Sequence, residues 1–297
     1  MIRTCDLLVR SQTLYPAELW ARQKYDPITR FGPVSAHNCL TVNTVVESAL
    51  SRPRLSLVVI LVGLPLACWA WVVAMARDMY GPMTGASAWM MTVTWDTPRL
   101  LLLWAMWAAM MAGMMLPTLA PSLLLFARAV RNRQGIRNPS QYIYAMGAGY
   151  VLVWALFSVG ATVLQRLLAE SSILTMMMEP ARPLTAAILL IIAGIYQWTP
   201  MKDACLSVCR SPMAMFTHGW REGIAGAFQM GFGNGLYCLG CCWALMLLLF
   251  AGGVMNLVVI LSLTTWVAIE KLAPFGRQSA RAGGALLIAV GFWMLTR

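Results

Sequence analysis

The chain alternates between long apolar runs and short segments that collect most of its charged residues. A helix that crosses a membrane needs about 20 mostly apolar residues, and several of these runs reach or approach that length. The last two runs are shorter, so a re-entrant hairpin is the alternative to two separate spans. We favour two spans and predict seven transmembrane helices, over Ser56–Ala76, Leu100–Ala127, Tyr142–Leu168, Leu184–Trp198, Leu236–Gly252, Leu257–Ile269 and Ala282–Leu295.

Composition agrees with a chain that is largely shielded from water. Of the 297 residues, 60% are hydrophobic and 11% are charged, and the mean hydropathy is +0.68. Soluble proteins carry roughly 25% charged residues. We therefore predict an all-α fold, a polytopic membrane helix bundle, with residues 55–297 as one transmembrane domain. Residues 1–54 are predicted to form a polar N-terminal extension that lacks the apolar core of a cleavable signal peptide.

The basic residues lie mainly between the apolar runs, and their distribution predicts an orientation. The loops after the second, fourth and sixth runs hold most of them: Arg128, Arg131, Arg133 and Arg137; Lys202, Arg210 and Arg221; Lys271, Arg277 and Arg281. By the positive-inside rule these loops are cytoplasmic. The protein is thus predicted to lie in a bacterial inner membrane with its N-terminus in the cytoplasm. The net charge of +11 is assigned to lipid headgroups rather than to nucleic acid.

Five of the eight cysteines fall into two short motifs. Cys205 and Cys209 share one face of a helix, and Cys238, Cys241 and Cys242, at offsets of three and four, share another. We expect both groups at the cytoplasmic ends of their helices, where they can face each other. Thiolates select soft metals, including Cu(I) and zinc. The alternative for the first pair is simple packing, because free cysteine often acts as a small hydrophobe.

A methionine stripe in the second run provides further soft donors. Met110 and Met114 are four residues apart, and Met111 and Met115 form a parallel ridge. Thioethers also prefer Cu(I), but methionine is equally common as a filler of apolar cores. Pro117 and Pro121 are expected to interrupt this helix and open a cavity. The predicted metal ligands are Cys205, Cys209, Cys238, Cys241, Cys242, Met110, Met111, Met114 and Met115.

Charged and polar groups near the helix ends receive less specific interpretations. Glu270 and Lys271 are interpreted as an interfacial pair, since no carboxylate falls in the middle of a span. The Gly-rich segment 212–233 is expected to lie on the cytoplasmic membrane surface. His218, within that segment, is interpreted as a solvated histidine rather than as an auxiliary ligand.

Three motifs together resemble one bacterial family. They are Met110–Pro117, Tyr196–Cys205 with Cys209, and Gly235–Trp243, and they occur in this order. The sequence is similar to the predicted metal-binding integral membrane proteins that include a copper-delivery protein for a polyphenol oxidase. The resemblance covers about residues 56–273. It implies metal binding and the provision of copper to a partner enzyme.

These observations lead to three hypotheses for the function. The first is a non-enzymatic membrane metallochaperone that binds copper as Cu(I), with zinc as the second choice, and delivers it to a recipient cuproenzyme or membrane complex. The second is a membrane thiol–disulfide oxidoreductase that passes electrons to quinone. The third is a structural subunit of a larger membrane complex.

Overall fold

The computed structural model describes residues 55–81, 96–133, 138–175, 182–211 and 220–296. In these ranges the chain is helical apart from short turns, which confirms the all-α class. The helices are α1 Leu55–Met79, α2 Thr97–Arg131, α3 Pro139–Glu170, α4 Pro183–Tyr196, α5 Pro200–Arg210, α6 Gly223–Leu247, α7 Leu249–Gly252, α8 Leu257–Leu272 and α9 Gly276–Leu295.

Within the described ranges, four helical segments are long and apolar enough to cross a membrane. They are Leu61–Met79 of α1, the whole of α2, the whole of α3, and Gly223–Gly252. Helices α4 and α5 count as a fifth crossing if the two form one broken span. Helices α8 and α9 are not among the candidates, so the predicted number of seven spans is not confirmed.

A break between α4 and α5 divides the fourth apolar run, and the two helices are bent by 66° there. Thr199 precedes Pro200, and a residue before proline is driven away from helical backbone angles. The Thr199 side chain then accepts a hydrogen bond from the backbone N–H of Lys202 and caps the new helix, with Pro200 in its first turn. This local chemistry redirects the chain so that α5 packs against α6.

Glycines allow close contact between α3 and α6, which form the most extensive helix pair of the bundle. A Cβ atom on Gly231 would overlap the backbone oxygen of Met146, and one on Gly149 would overlap that of Phe228. Helices in membrane proteins often pack through small residues for this reason. The close approach holds the cysteine-bearing face of α6 in the interior of the bundle.

Two expectations about the helices are wrong. Residues 223–233 do not form a separate surface segment, because they are the first turns of α6. Pro117 and Pro121 lie inside α2, which continues without a break from Thr97 to Arg131. The extension 1–54 and His218 lie outside the described residues, so the statements about them stay predictions.

Candidate metal centre

The five clustered cysteines lie on α5 and α6, two helices that pack against each other. Cys238, Cys241 and Cys242 are buried on α6, whereas Cys205 and Cys209 are half-buried on α5. The sulfur of Cys209 is 4.0 Å from that of Cys241. The two groups therefore meet at this pair, which is the part of the predicted arrangement that the structure shows.

Gly240 determines how closely Cys205 approaches α6. A Cβ atom at position 240 would lie 2.7 Å from the sulfur of Cys205, so only glycine leaves this space open. The Tyr196 hydroxyl donates a hydrogen bond to the Gly240 carbonyl, and its ring packs edge-on against Trp243 at 5.1 Å between centroids. These contacts hold α4 and α5 against the cysteine segment of α6.

A second group of sulfur atoms surrounds the buried ammonium group of Lys271. Its Nζ atom lies 2.9 Å from the sulfur of Cys238, 3.7 Å from the thioether of Met115 and 4.0 Å from the sulfur of Cys242. The hydroxyl of Tyr150 is also 2.9 Å from the sulfur of Cys238. Side chains from helices α2, α3, α6 and α8 therefore meet at this point. We call Lys271, Cys238, Cys242 and Met115 the inner cluster, and Cys205, Cys209 and Cys241 the outer cluster.

Glu270, which precedes Lys271 in sequence, forms a buried ion pair with Lys202. The Nζ atom of Lys202 lies 2.7 Å from Oε2 of Glu270, and both side chains are almost completely buried. The other carboxylate oxygen accepts hydrogen bonds from Nε2 of Gln197 at 3.2 Å and Nε1 of Trp266 at 2.7 Å. Both oxygens of the carboxylate are therefore satisfied.

These contacts overturn two interpretations of the charged residues. Glu270 and Lys271 are not an interfacial pair, because each is buried and bonded to a different partner. Lys202 is not a loop residue that reports orientation, since it is buried in the bundle. Adjacent residues on a helix point about 100° apart, which explains why the two neighbours separate.

The cysteines of α6 are also placed differently from the prediction. Helix α6 begins at Gly223, so Cys238 lies roughly 22 Å along the helix axis rather than at its mouth. The expectation that these thiols mark the end of the helix is therefore wrong. The reason is that the Gly-rich segment before them is helical.

The methionine stripe is completely buried, and its members have different surroundings. Met110, Met111, Met114 and Met115 are at most 1% exposed. Met115 belongs to the inner cluster, and its backbone oxygen also accepts a hydrogen bond from the Tyr150 hydroxyl at 3.2 Å. The other three lie in the same apolar core. The structure thus links the stripe to the thiols through Met115.

Within the described ranges, no group of three or more histidine, cysteine, aspartate or glutamate side chains has a geometry that would hold a metal ion. The thiols are instead divided into small sets, one facing α5 and one around Lys271. Sequence reasoning missed Lys271 and Tyr150 as neighbours of the thiols. Lys271 carried no clear signal in the sequence, since it falls just beyond the apolar run Leu257–Ile269, where a lysine usually reaches the membrane interface.

The fold and the cluster together define a helical protein with spans suited to a membrane and a sulfur-rich interior. The chain matches the family PpoB2, described as a copper chaperone, over residues 104–294. The match covers more than half of the chain, and the chain therefore belongs to this family. Comparison with curated proteins and with solved structures finds no match.

Membership in this family confirms several of the predictions made from the sequence. It confirms the suspected relationship and implies copper binding and delivery to a recipient copper enzyme. A copper chaperone is not an enzyme, so the prediction of a non-enzymatic role is confirmed as well. The matched range contains the methionine stripe and all five clustered cysteines.

Proposed function

We propose that this protein is an integral membrane copper chaperone that binds Cu(I) through cysteine and methionine sulfur and passes it to a partner cuproenzyme. The observation that carries the proposal is that the two cysteine motifs meet at Cys209 and Cys241, while Cys238, Cys242 and Met115 all lie around the ammonium group of Lys271. Soft thiolate and thioether donors favour Cu(I).

Exposed apolar side chains support a location in the bilayer. Leu156, Val159 and Val163 of α3 are 55%, 49% and 52% exposed, and this helix is long and apolar enough to cross a membrane. Contiguous apolar surface of this kind marks contact with lipid or another protein. We assign the protein to a bacterial inner membrane with a cytoplasmic N-terminus, on the basis of the loop arginines that remain once the buried Lys202 and Lys271 are set aside.

Two thiols of the outer cluster, Cys209 and Cys241, have a separation that suits a soft metal ion. A zinc–thiolate bond is about 2.3 Å long, so two sulfurs on one such ion are at most roughly 4.6 Å apart. The sulfurs of Cys209 and Cys241, at 4.0 Å, are within this limit. Structural zinc sites normally need four ligands, whereas Cu(I) accepts two or three soft donors. The division of the thiols into small sets therefore favours copper over zinc.

Transfer would proceed by ligand exchange between neighbouring sulfur atoms. Cys205 and Cys209 are half-buried and exchange ions with the surroundings of α5, and Cys241 connects them to the interior. Cys238 and Cys242 follow on the same helix, and Met115 leads to Met110, Met111 and Met114. Each step replaces one soft ligand by another, so no bond to a hard donor is required.

Copper content is the direct test of this proposal. The protein is loaded with Cu(I) under anaerobic conditions, and copper per chain is measured by mass spectrometry. Changing Cys238, Cys241 and Cys242 to Ser should abolish most of the bound copper, and Cys68→Ser, a half-buried cysteine of α1, serves as the matched control. Lowering the pH should release copper from the wild type, because thiol ligands must be deprotonated to bind. Unchanged copper in the triple variant would contradict the proposed site.

The thiol–disulfide oxidoreductase, which membership in a copper chaperone family argues against, makes a different prediction for the pair Cys209 and Cys241. Two free thiols 4.0 Å apart can close into a disulfide, releasing two electrons and two protons to an acceptor such as a quinone. This candidate predicts quinone reduction that is lost in Cys209→Ser. Copper delivery predicts instead that copper binding is impaired in the same variant and that no quinone is reduced.

A further inference from the structure

Lys271 is a buried cation whose neighbours are sulfur atoms rather than carboxylates. It is 8% exposed, and its ammonium group is closest to the sulfurs of Cys238, Met115 and Cys242. Among the described residues it forms no salt bridge with an acid. A buried charge without a counter-charge is strongly unfavourable, so the thiols beside it are the groups that can balance it.

The carboxylate next to Lys271 in sequence does not supply this balance. Glu270 is already paired with Lys202 at 2.7 Å, and the two together are neutral. Tyr150, the other polar neighbour of Cys238, is neutral in its ordinary phenol form. The net charge of the inner cluster therefore depends on Lys271, the two thiols and whatever ion they bind.

We propose that Lys271 makes the inner cluster selective for a monovalent soft ion. The inference rests on the proposed function, and it adds a residue that determines which ion is accepted. With Cys238 and Cys242 as thiolates, the ammonium group and one monovalent ion together give a neutral site. A divalent ion in the same place leaves one uncompensated positive charge in the apolar core.

The physical reason is the cost of burying net charge. The free energy of placing an ion in a low-dielectric interior rises steeply with the net charge of the assembled site. Without the lysine, two thiolates would be neutralised by a divalent ion such as zinc. With the ammonium group present, the site is neutral when it holds a monovalent ion rather than a divalent one. Divalent ions, which two thiolates alone would accept, are therefore disfavoured.

The contacts on the Lys271 ammonium fit this role as a counter-charge. It lies 2.9 Å from one thiol and 4.0 Å from the other, within reach of both. Its distance to the Met115 thioether, 3.7 Å, places it beside the third soft donor as well. In the metal-free protein the ammonium is thus the cation among the sulfurs.

The test compares Ag(I), a monovalent soft ion that is stable in air, with Cd(II), a divalent soft ion. Purified full-length protein in detergent is dialysed against both, and bound metal is measured by mass spectrometry. Ions at the inner cluster are those lost when Cys238 and Cys242 are changed to Ser. The wild type should hold Ag(I) there in preference to Cd(II).

Lys271→Gln removes the charge and keeps a hydrogen-bond donor, so it should lower the Ag(I) to Cd(II) ratio by about tenfold or more. Lys271→Arg keeps the charge and should leave the preference for Ag(I) in place. The matched control is Lys202→Met with Glu270→Gln, which removes the other buried lysine together with its counter-charge. This control should leave the ratio unchanged.

Two results would overturn the inference while leaving the proposed function intact. One is a Lys271→Gln ratio equal to that of the wild type. The other is a wild-type inner cluster that takes up Cd(II) as readily as Ag(I). This second result does not depend on whether a variant at position 271 folds. If the wild type binds neither ion at Cys238 and Cys242, the proposed function itself fails at this site, and the inference fails with it.

Discussion

Two lysines are buried in this bundle, and their partners differ in chemistry. Lys202 is bonded to the carboxylate of Glu270, and that carboxylate is completed by Gln197 and Trp266. Lys271 is surrounded by two thiols and a thioether. All of the contacts of this carboxylate are with neighbouring side chains of the bundle, so the first pair is a structural element. Thiols are also metal ligands, so the second arrangement can exchange its partners.

The largest expected effect comes from breaking the structural pair. Lys202→Met leaves Glu270 as a buried charge without its cation, and the free energy of unfolding should fall by about 3–5 kcal/mol. Thermal or denaturant unfolding in detergent measures this loss. Adding Glu270→Gln should restore much of it, because the uncompensated charge is removed. The exposed pair Arg166–Glu170 is the control, and Arg166→Met should cost less than about 1 kcal/mol.

Equal losses for Lys202→Met and Arg166→Met would contradict the structural role of the buried pair. So would a double variant that is less stable than Lys202→Met alone, since neutralising the pair should help. A double-mutant cycle of Lys202 and Glu270 gives the coupling energy directly.

A smaller effect is expected when the sulfur atom that contacts Lys271 is removed. Cys238→Ala removes the acceptor closest to the Lys271 ammonium and should lower the free energy of unfolding by about 1–3 kcal/mol. Cys238→Ser keeps an acceptor at the same position and should lose less. Chemical unfolding of the metal-free protein measures both, with Cys68→Ala as a control outside the cluster. If Ser is as damaging as Ala, the hydrogen bond does not account for the loss.

The smallest expected change in stability comes from replacing Met115, a substitution that distinguishes a packing role from a role in metal binding. Met115→Leu conserves volume and should change the free energy of unfolding by less than about 1.5 kcal/mol. The same substitution removes the thioether of the inner cluster, so Cu(I) should bind more weakly. Competition with a chromogenic Cu(I) chelator measures the affinity, and Met106→Leu, equally buried on the same helix and outside the proposed ligand set, is the matched control. Equal weakening in both variants would show that Met115 has no special place among the methionines.

The positions of the helices followed largely from hydropathy. Predicted boundaries for α1, α3 and α8 differ from the observed ones by a few residues, because apolar runs and helices end at the same charged segments. The start of α6 was missed because glycine lowers helix propensity, yet Gly149, Gly231 and Gly235 permit the tight α3–α6 contact that stabilises this helix. Such packing depends on two segments that are far apart in sequence.

The candidate site was predictable only in part. Helical spacing placed Cys238, Cys241 and Cys242 on one face, and the structure buries all three. Lys271 and Tyr150 could not be assigned to them, since their contacts join α6 to α8 and α3. Periodicity within one helix does not reveal which residue of another helix will face it.

The sequence by itself determined the helical class, the soft donors and the family to which those motifs belong. These properties are local, because they depend on hydropathy, on residue type and on spacing within a single helix. Only the tertiary structure decided which charged side chains are buried and which groups they contact. Glu270 pairs with Lys202, and Lys271 contacts the sulfur atoms. The physical reason is that a buried charge must find its partner in three dimensions, and adjacent positions on one helix face in different directions.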